Sequence, residues 1–397
     1  MPFDLDTPWN RLFAFAAFYV IEGIPQGFTE TFLPYHFWDS RPWAYKWLLA
    51  PLIDIFWTRR RWLFTTQAVM ILSLLGLLVL TDLQGSFAEV LGTVFVHNVF
   101  SATQDLAIDA IAVGSLPLAE GASANGAMFA AQEFGNMLGG AVALAVSSQS
   151  SYQGGCLFVV GLLALAFFGI TCRLHPTVGV QARRPDTASQ QLLAYVRSLR
   201  ESCVGPEAIH FWLGMAFALF PSGTLLLRGP HCKSWMVMHS LDDDSVAWVE
   251  FAGKTVTICT MLAGGFMSSG SNRKKWVAMS YVSTMCISSF VAWLSWTGGK
   301  FSFETWLGIK VAFHFVHGFH IGPQMALFQQ LCRPSVAATQ FTIFCCLCNN
   351  ADSWGKRFQG AWIESDGYAR TLLWEVPFVL TPLAILPFIE PENLHTD

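Results

Sequence analysis

The chain has 397 residues, of which 53% are hydrophobic and only 13% charged; its net charge is −4 and its mean hydropathy +0.44. A soluble domain carries about 25% charged residues, so this composition excludes a water-soluble globular protein. The slight acidic balance also argues against a nucleic-acid partner, which calls for a basic surface.

Runs of roughly 20 apolar residues, the length that crosses a bilayer core, recur along the whole chain. Full spans are predicted near 11–37, 62–82, 87–115, 122–147, 154–173, 207–228, 245–268, 274–297, 304–331, 335–362 and 367–388, with a shorter apolar stretch at 43–57. The amino terminus is acidic and lacks the basic region and small-residue cleavage site of a signal peptide, so the first span reads as retained. Placing both termini in the cytoplasm, with 43–57 crossing, puts the basic clusters Arg59 to Arg61, Arg183-Arg184 and Arg273 to Lys275 on the inner side, as the positive-inside rule requires. The polar stretch 174–206 reads as a cytoplasmic linker between an N-terminal bundle, 1–173, and a C-terminal bundle, 207–397. Nine of the ten Cys fall in apolar or inner-loop stretches and only Cys232 in an outer loop. They read as packing residues, with no disulfide, metal or cofactor implied.

In the first span Tyr19, Glu22, Gln26, Thr29 and Glu30 recur at three- and four-residue steps and share a helix face. Ionisable groups at this depth cost roughly 2.5–3.5 kcal/mol on insertion scales, so they are functional candidates by default. Asp54, followed by Arg59, Arg60 and Arg61, gives an inner-face charge clamp, a gate that favours one access state. In the fourth span Asn98, Ser101, Asp105 and Asp109 share a face, with Gln104 beside it; two carboxylates one turn apart suit proton-coupled carriage. Gln132 and Glu133 are weaker candidates of the same kind in the fifth span. Lys254, in the eighth span, reads as a buried cation. The tenth span answers with Lys310, His314, His317 and Gln324 at helical spacing, and His320 slightly off that face. Facing the acidic fourth span across a central cavity, this stripe suits an anionic organic solute or a titrating relay.

The halves repeat. Arg60-Arg61-Trp62 aligns with Lys274-Lys275-Trp276 at an offset of 214, as do Asn136 with Asn350 and Ala124 with Ala338. Upstream, Ile24-Pro25-Gln26-Gly27 matches Phe220-Pro221-Ser222-Gly223 at an offset of 196, so the first half is 18 residues shorter between Gly27 and Arg59. The second copy of the loop keeps its cations, Arg273, Lys274 and Lys275, and has Ser268 where Asp54 would fall. Internal repeats are the usual basis of alternating access.

Four strings carry a family resemblance: Gly23-Ile24-Pro25-Gln26-Gly27, Lys46-Trp47-Leu48-Leu49-Ala50-Pro51-Leu52-Ile53-Asp54, Ala102-Thr103-Gln104-Asp105-Leu106-Ala107-Ile108-Asp109-Ala110 and Ala338-Thr339-Gln340-Phe341. Together they resemble the major facilitator superfamily, nearest the branch of muropeptide permeases and acetyl-coenzyme A transporters. The resemblance implies an all-α polytopic membrane protein of twelve helices in two six-helix bundles, here with the second helix truncated. It implies a monomeric secondary carrier that moves a polar or anionic organic solute with protons. Gln104, Asp105 and Asp109 fall on the family's fourth-helix motif, and Asp54 with Arg59 to Arg61 on its loop motif. A non-transporting receptor or scaffold, or the product of a gene model lacking part of helix 2, is the alternative. A membrane enzyme is disfavoured: the chain offers no nucleotide-binding glycine loop, nucleophile motif or metal spacing.

Overall fold

The computed structural model describes residues 5–29, 45–80, 85–117, 119–175, 187–205, 208–268 and 273–390. Among them the chain is helical. In order, the helices are α1 (Pro8–Gly27), α2 (Ala50–Ile55), α3 (Arg59–Val79), α4 (Phe87–Ser115), α5 (Gly121–Met137), α6 (Ala143–Gln149), α7 (Tyr152–Gly169), α8 (Ala188–Val204), α9 (Ala208–Ala218), α10 (Pro230–Met238), α11 (Asp243–Met267), α12 (Arg273–Trp296), α13 (Phe303–Gln330) and α14 (Ala337–Ile385). A π turn at Leu138–Val142 joins α5 to α6. Gly367, at φ 77°, kinks α14 into two segments, matching the boundary expected between the last two spans.

Polar caps start the helices where apolar runs begin. Thr7, Thr58, Ser151, Asp242 and Ser302 each accept from the backbone N–H three residues on, satisfying an orphan donor of the first turn. Among the described residues, five helical stretches are long and apolar enough to cross a membrane: Arg59–Val79, Tyr152–Arg173, Asp244–Met267, Arg273–Trp296 and Ala337–Phe388. Helices α1, α4 and α13 run to 20, 29 and 28 residues and carry buried ionisable side chains instead of a purely apolar surface.

Two compact units divide the chain. The first holds 1–117, 127–202 and 332–346; the second holds 118–126, 203–331 and 347–397. The chain thus passes from one unit to the other within α5 and again within α14. In the first unit α3 packs along α4 and α7, and α1 along α4. Gly23 and Gly27 of α1 lie against the backbone of Gln132 and Asn136, with Gly135 and Gly139 answering from the other side. A Cβ at any of these would strike main chain, which explains the glycines of the Gly23-to-Gly27 string. In the second unit α13 packs against α11 and α12. Its apolar core gathers Leu226, Leu227, Trp235, Val249, Trp306 and Leu372 with their neighbours.

One expected span changes, and two places gain detail. The span expected at 207–228 is not one helix: α9 stops at Ala218 and the chain runs irregularly to Pro230. Pro221 has no N–H to give and disfavours helix in the residue before it, and Gly223 adopts φ 88°. Cys232, expected in an outer loop, is buried within α10. Of the short second span, the described residues give a 3-10 turn at Lys46–Leu48 and the six residues of α2. By helical rise these cover about 15 Å.

Candidate functional site

In the first unit the buried polar side chains of α1, of α4 and of the 3-10 turn ahead of α2 meet. Asp105 on α4 forms a buried ion pair with Lys46, just ahead of α2. One turn along, Asp109 accepts a hydrogen bond from Tyr19 of α1, and Glu22 accepts one from Gln132 of α5. The predicted face of α1 and the predicted face of α4 therefore belong to one cluster. Lys46 is the member that periodicity could not supply, since it sits in a 3-10 turn 59 residues from its partner. Gln104 is fully buried, and neither its oxygen nor its nitrogen has a hydrogen-bond partner among the described residues. Ser101 on α4 and Gln67 on α3 are in the same state. Gln26 and Glu133 are half-buried. Glu30 lies outside the described residues.

The loop motif forms a second arrangement in the same unit. The carboxylate of Asp54, at the end of α2, accepts from the backbone N–H of Ala338 at 3.3 Å and of Thr339 at 3.0 Å, and from the Thr339 hydroxyl at 2.9 Å. It thus caps the first turn of α14, where the helix dipole favours an anion. Arg59 stands 4.0 Å from Asp54, at the outer limit of an ion pair, and donates to the Ala110 carbonyl at 2.5 Å. Arg60 donates to the Leu174 carbonyl at 3.1 Å, while Arg61 is exposed. Helix α8, within the expected linker, joins this junction. With its own proton committed to Asp54, the Thr339 hydroxyl accepts from Tyr195 at 3.1 Å, and Glu201 receives Arg333 at 3.1 Å. The Arg197 guanidinium, hydrogen-bonded to Glu201, together with Arg333 holds the Glu201 carboxyl below the usual carboxylate range.

In the second unit the counterpart loop is less charged. Ser268, in the position of Asp54, turns back to the Gly264 carbonyl at 2.6 Å. Arg273 is buried, Lys274 reaches the Pro387 carbonyl at 3.4 Å and Lys275 is exposed.

The α13 stripe divides into two tasks. His314, His317 and His320 are buried, and the rings of His317 and His320 lie 4.7 Å apart. His314 shares a hydrogen bond with Thr257 at 2.7 Å, its ring fitted against Gly253 of α11. His314 Nε2, His317 Nδ1 and His320 Nδ1 have no partner among the described residues. Gln324 accepts from Tyr281 at 2.9 Å. Lys310 behaves differently: fully buried, it donates to the Leu227 carbonyl at 2.8 Å and pairs with Glu250 at 2.6 Å. Lys254, expected to be buried, is exposed, because Gly253 and Thr257, not residue 254, form the face of α11 turned to α13.

Sequence reasoning missed Lys46, Glu250, Glu375 and Arg228. Arg228 pairs with Asp352 at 2.6 Å, and Glu375 lies buried against the broken stretch after α9. Glu375 was detectable as a lone carboxylate in the last apolar run.

The profile of the Major Facilitator Superfamily matches residues 46–350. None of the curated proteins matches the chain by sequence. Among solved structures, the chain is similar to the E. coli fucose:proton symporter, at 10% identity and TM-score 0.69 over 96% of this chain and 98% of that one. A bacterial homologue of the iron transporter ferroportin, in an outward-facing state, gives 11% identity and TM-score 0.71 over 96% and 99%. A human organic anion transporter gives 12% and 0.63 over 96% and 84%. At such identities these likenesses speak for the fold alone.

Proposed function

Since this chain belongs to the Major Facilitator Superfamily, an integral multi-pass membrane family of solute transporters and not of enzymes, we propose that it is a proton-coupled secondary carrier of a polar or anionic organic solute working by alternating access. The observation that carries this reading is the Lys46–Asp105 pair, buried in a helix bundle beside Asp109, Tyr19 and Glu22. Charges at membrane depth are costly and mark ion or substrate pathways. Asp105 and Asp109 are its proton-handling groups, with Glu22, Gln26, Gln104 and Glu133 on the same path. On α13, His314, His317 and Gln324 supply donors for an anionic solute, with the Lys310–Glu250 pair behind them; the unpartnered imidazole nitrogens support that assignment. Asp54 with Arg59, Arg60 and Arg61, and Arg273, Lys274 and Lys275 in the repeat, form the inner-face gate. The proposal includes cytoplasmic termini, a linker over 174–206 between bundles 1–173 and 207–397, a monomer, and kinship with the muropeptide permease and acetyl-coenzyme A transporter branch.

The test is uptake into proteoliposomes under an imposed proton gradient. Asp105→Asn abolishes gradient-driven accumulation; accumulation equal to wild type removes Asp105 from the mechanism. A non-transporting receptor or scaffold is the second reading, favoured by the 18 residues that the first repeat lacks between Gly27 and Arg59.

A further inference from the structure

The irregular stretch between α9 and α10 leaves backbone groups without helical partners, and two opposite charges serve them. The Leu225 N–H lies 3.1 Å from Glu375 Oε2, and the Leu226 N–H lies 3.1 Å from Oε1 and 3.4 Å from Oε2. Gln359 Nε2 donates to Oε1 as well. On the other side Lys310 takes the Leu227 carbonyl. A buried carboxylate is tolerated only where donors replace its water. Arg228 is committed to Asp352 at 2.6 Å, and three N–H groups bond this carboxylate directly. Successive amides converging on one anion form a nest.

The nest is not sealed behind Glu375. A narrow recess with a cavity volume of about 10 Å³, lined by Pro221, Gly223, Trp354, Trp362 and Phe378, reaches both Leu225 and Glu375. The Gln359 side-chain oxygen, in a residue 1% exposed, has no partner among the described residues. The site thus keeps one polar atom unused.

We propose that the break after α9 is a carboxylate receptor, formed by the Leu225 and Leu226 amides and the Gln359 side chain, with Glu375 as its built-in ligand. Shortening that side chain leaves a site that binds a free small monocarboxylate entering through the recess. Glu375 is a positioning residue: it holds the backbone of the break and touches no transported solute. The inference is independent of the carrier reading and stands whether or not the chain moves a solute.

The test uses the purified full-length protein in detergent and sodium formate as the probe, with sodium chloride at equal ionic strength as control. Glu375→Ala lowers the thermal midpoint by several degrees, and formate restores it saturably where chloride does not. Wild type and Glu375→Gln, whose sites are filled, do not respond to formate. An Ala variant that melts like wild type overturns the proposal, as does an equal response to formate and chloride, which marks an adventitious ion only. Amide exchange decides the matter if Glu375→Ala does not fold. The Leu225 and Leu226 amides are protected in wild type and exchange faster in Glu375→Gln; unprotected rates in wild type, or no change in the variant, overturn the proposal.

Discussion

Lys46 and Asp105 are about 95% shielded from water in their side chains, and each neutralises the other's charge. Breaking such a pair from one side strands the other charge, at a cost of about 3–5 kcal/mol, whereas apolar replacement of both is often neutral or stabilising. Lys46→Met and Asp105→Leu are therefore each expected to destabilise the protein by that amount, and the double variant by much less than their sum. Denaturant unfolding of the four proteins in detergent measures the cycle; additive losses would show that the two residues act separately. The spacing of Asp105 and Asp109 along α4 was visible in the sequence because a helix repeats every 3.6 residues. Their partners were not, since Tyr19 and Lys46 reach them through tertiary packing that no period encodes.

Among the elements, the broken stretch after α9 and the junction around α8 invite separate tests. Gly223 sits at φ 88°, and a Cβ there would lie 2.9 Å from the Thr284 hydroxyl; Gly298 sits at φ 73° with open space around it. A side chain in left-handed backbone costs about 1–2 kcal/mol. Gly298→Ala is expected to cost that alone and Gly223→Ala more, as measured by thermal unfolding; equal losses would show that Thr284 yields freely.

At the α8 junction, Glu201 keeps its charge to lower pH in the folded chain than in the unfolded one. Its contribution is complete above the ordinary carboxylate pKa of about 4.3 and disappears as pH falls through the lower folded value. Amide exchange over 188–204, corrected for intrinsic rates, should hold steady from pH 7 to 5 and rise below pH 4. Glu201→Gln should raise it at pH 7, and adding Tyr195→Phe should raise it further. The α9 break itself was hidden in the sequence because Leu225-Leu226-Leu227 is as apolar as any helix. What keeps it open is Pro221, Gly223 and two charges, Glu375 and Lys310, from distant helices.

For the whole molecule, composition, apolar runs and the internal repeat were sufficient to read an all-α membrane fold, and most expected spans end within a few residues of the observed helices. The loop and fourth-helix strings pointed to the family that the profile match over 46–350 establishes. The solute was not legible, because recognition of an anion needs only donors and positive charge, which many solutes satisfy alike. The shortfall of 18 residues before Arg59 makes transport itself the claim most in need of measurement. Counterflow in proteoliposomes preloaded with polar organic anions, using protein shown to be folded, tests it without a proton gradient. Tracer entering against equal concentrations of at least one preloaded solute, and entering for Asp105→Asn as well, is the predicted result; no counterflow for any solute in the panel would contradict the carrier reading.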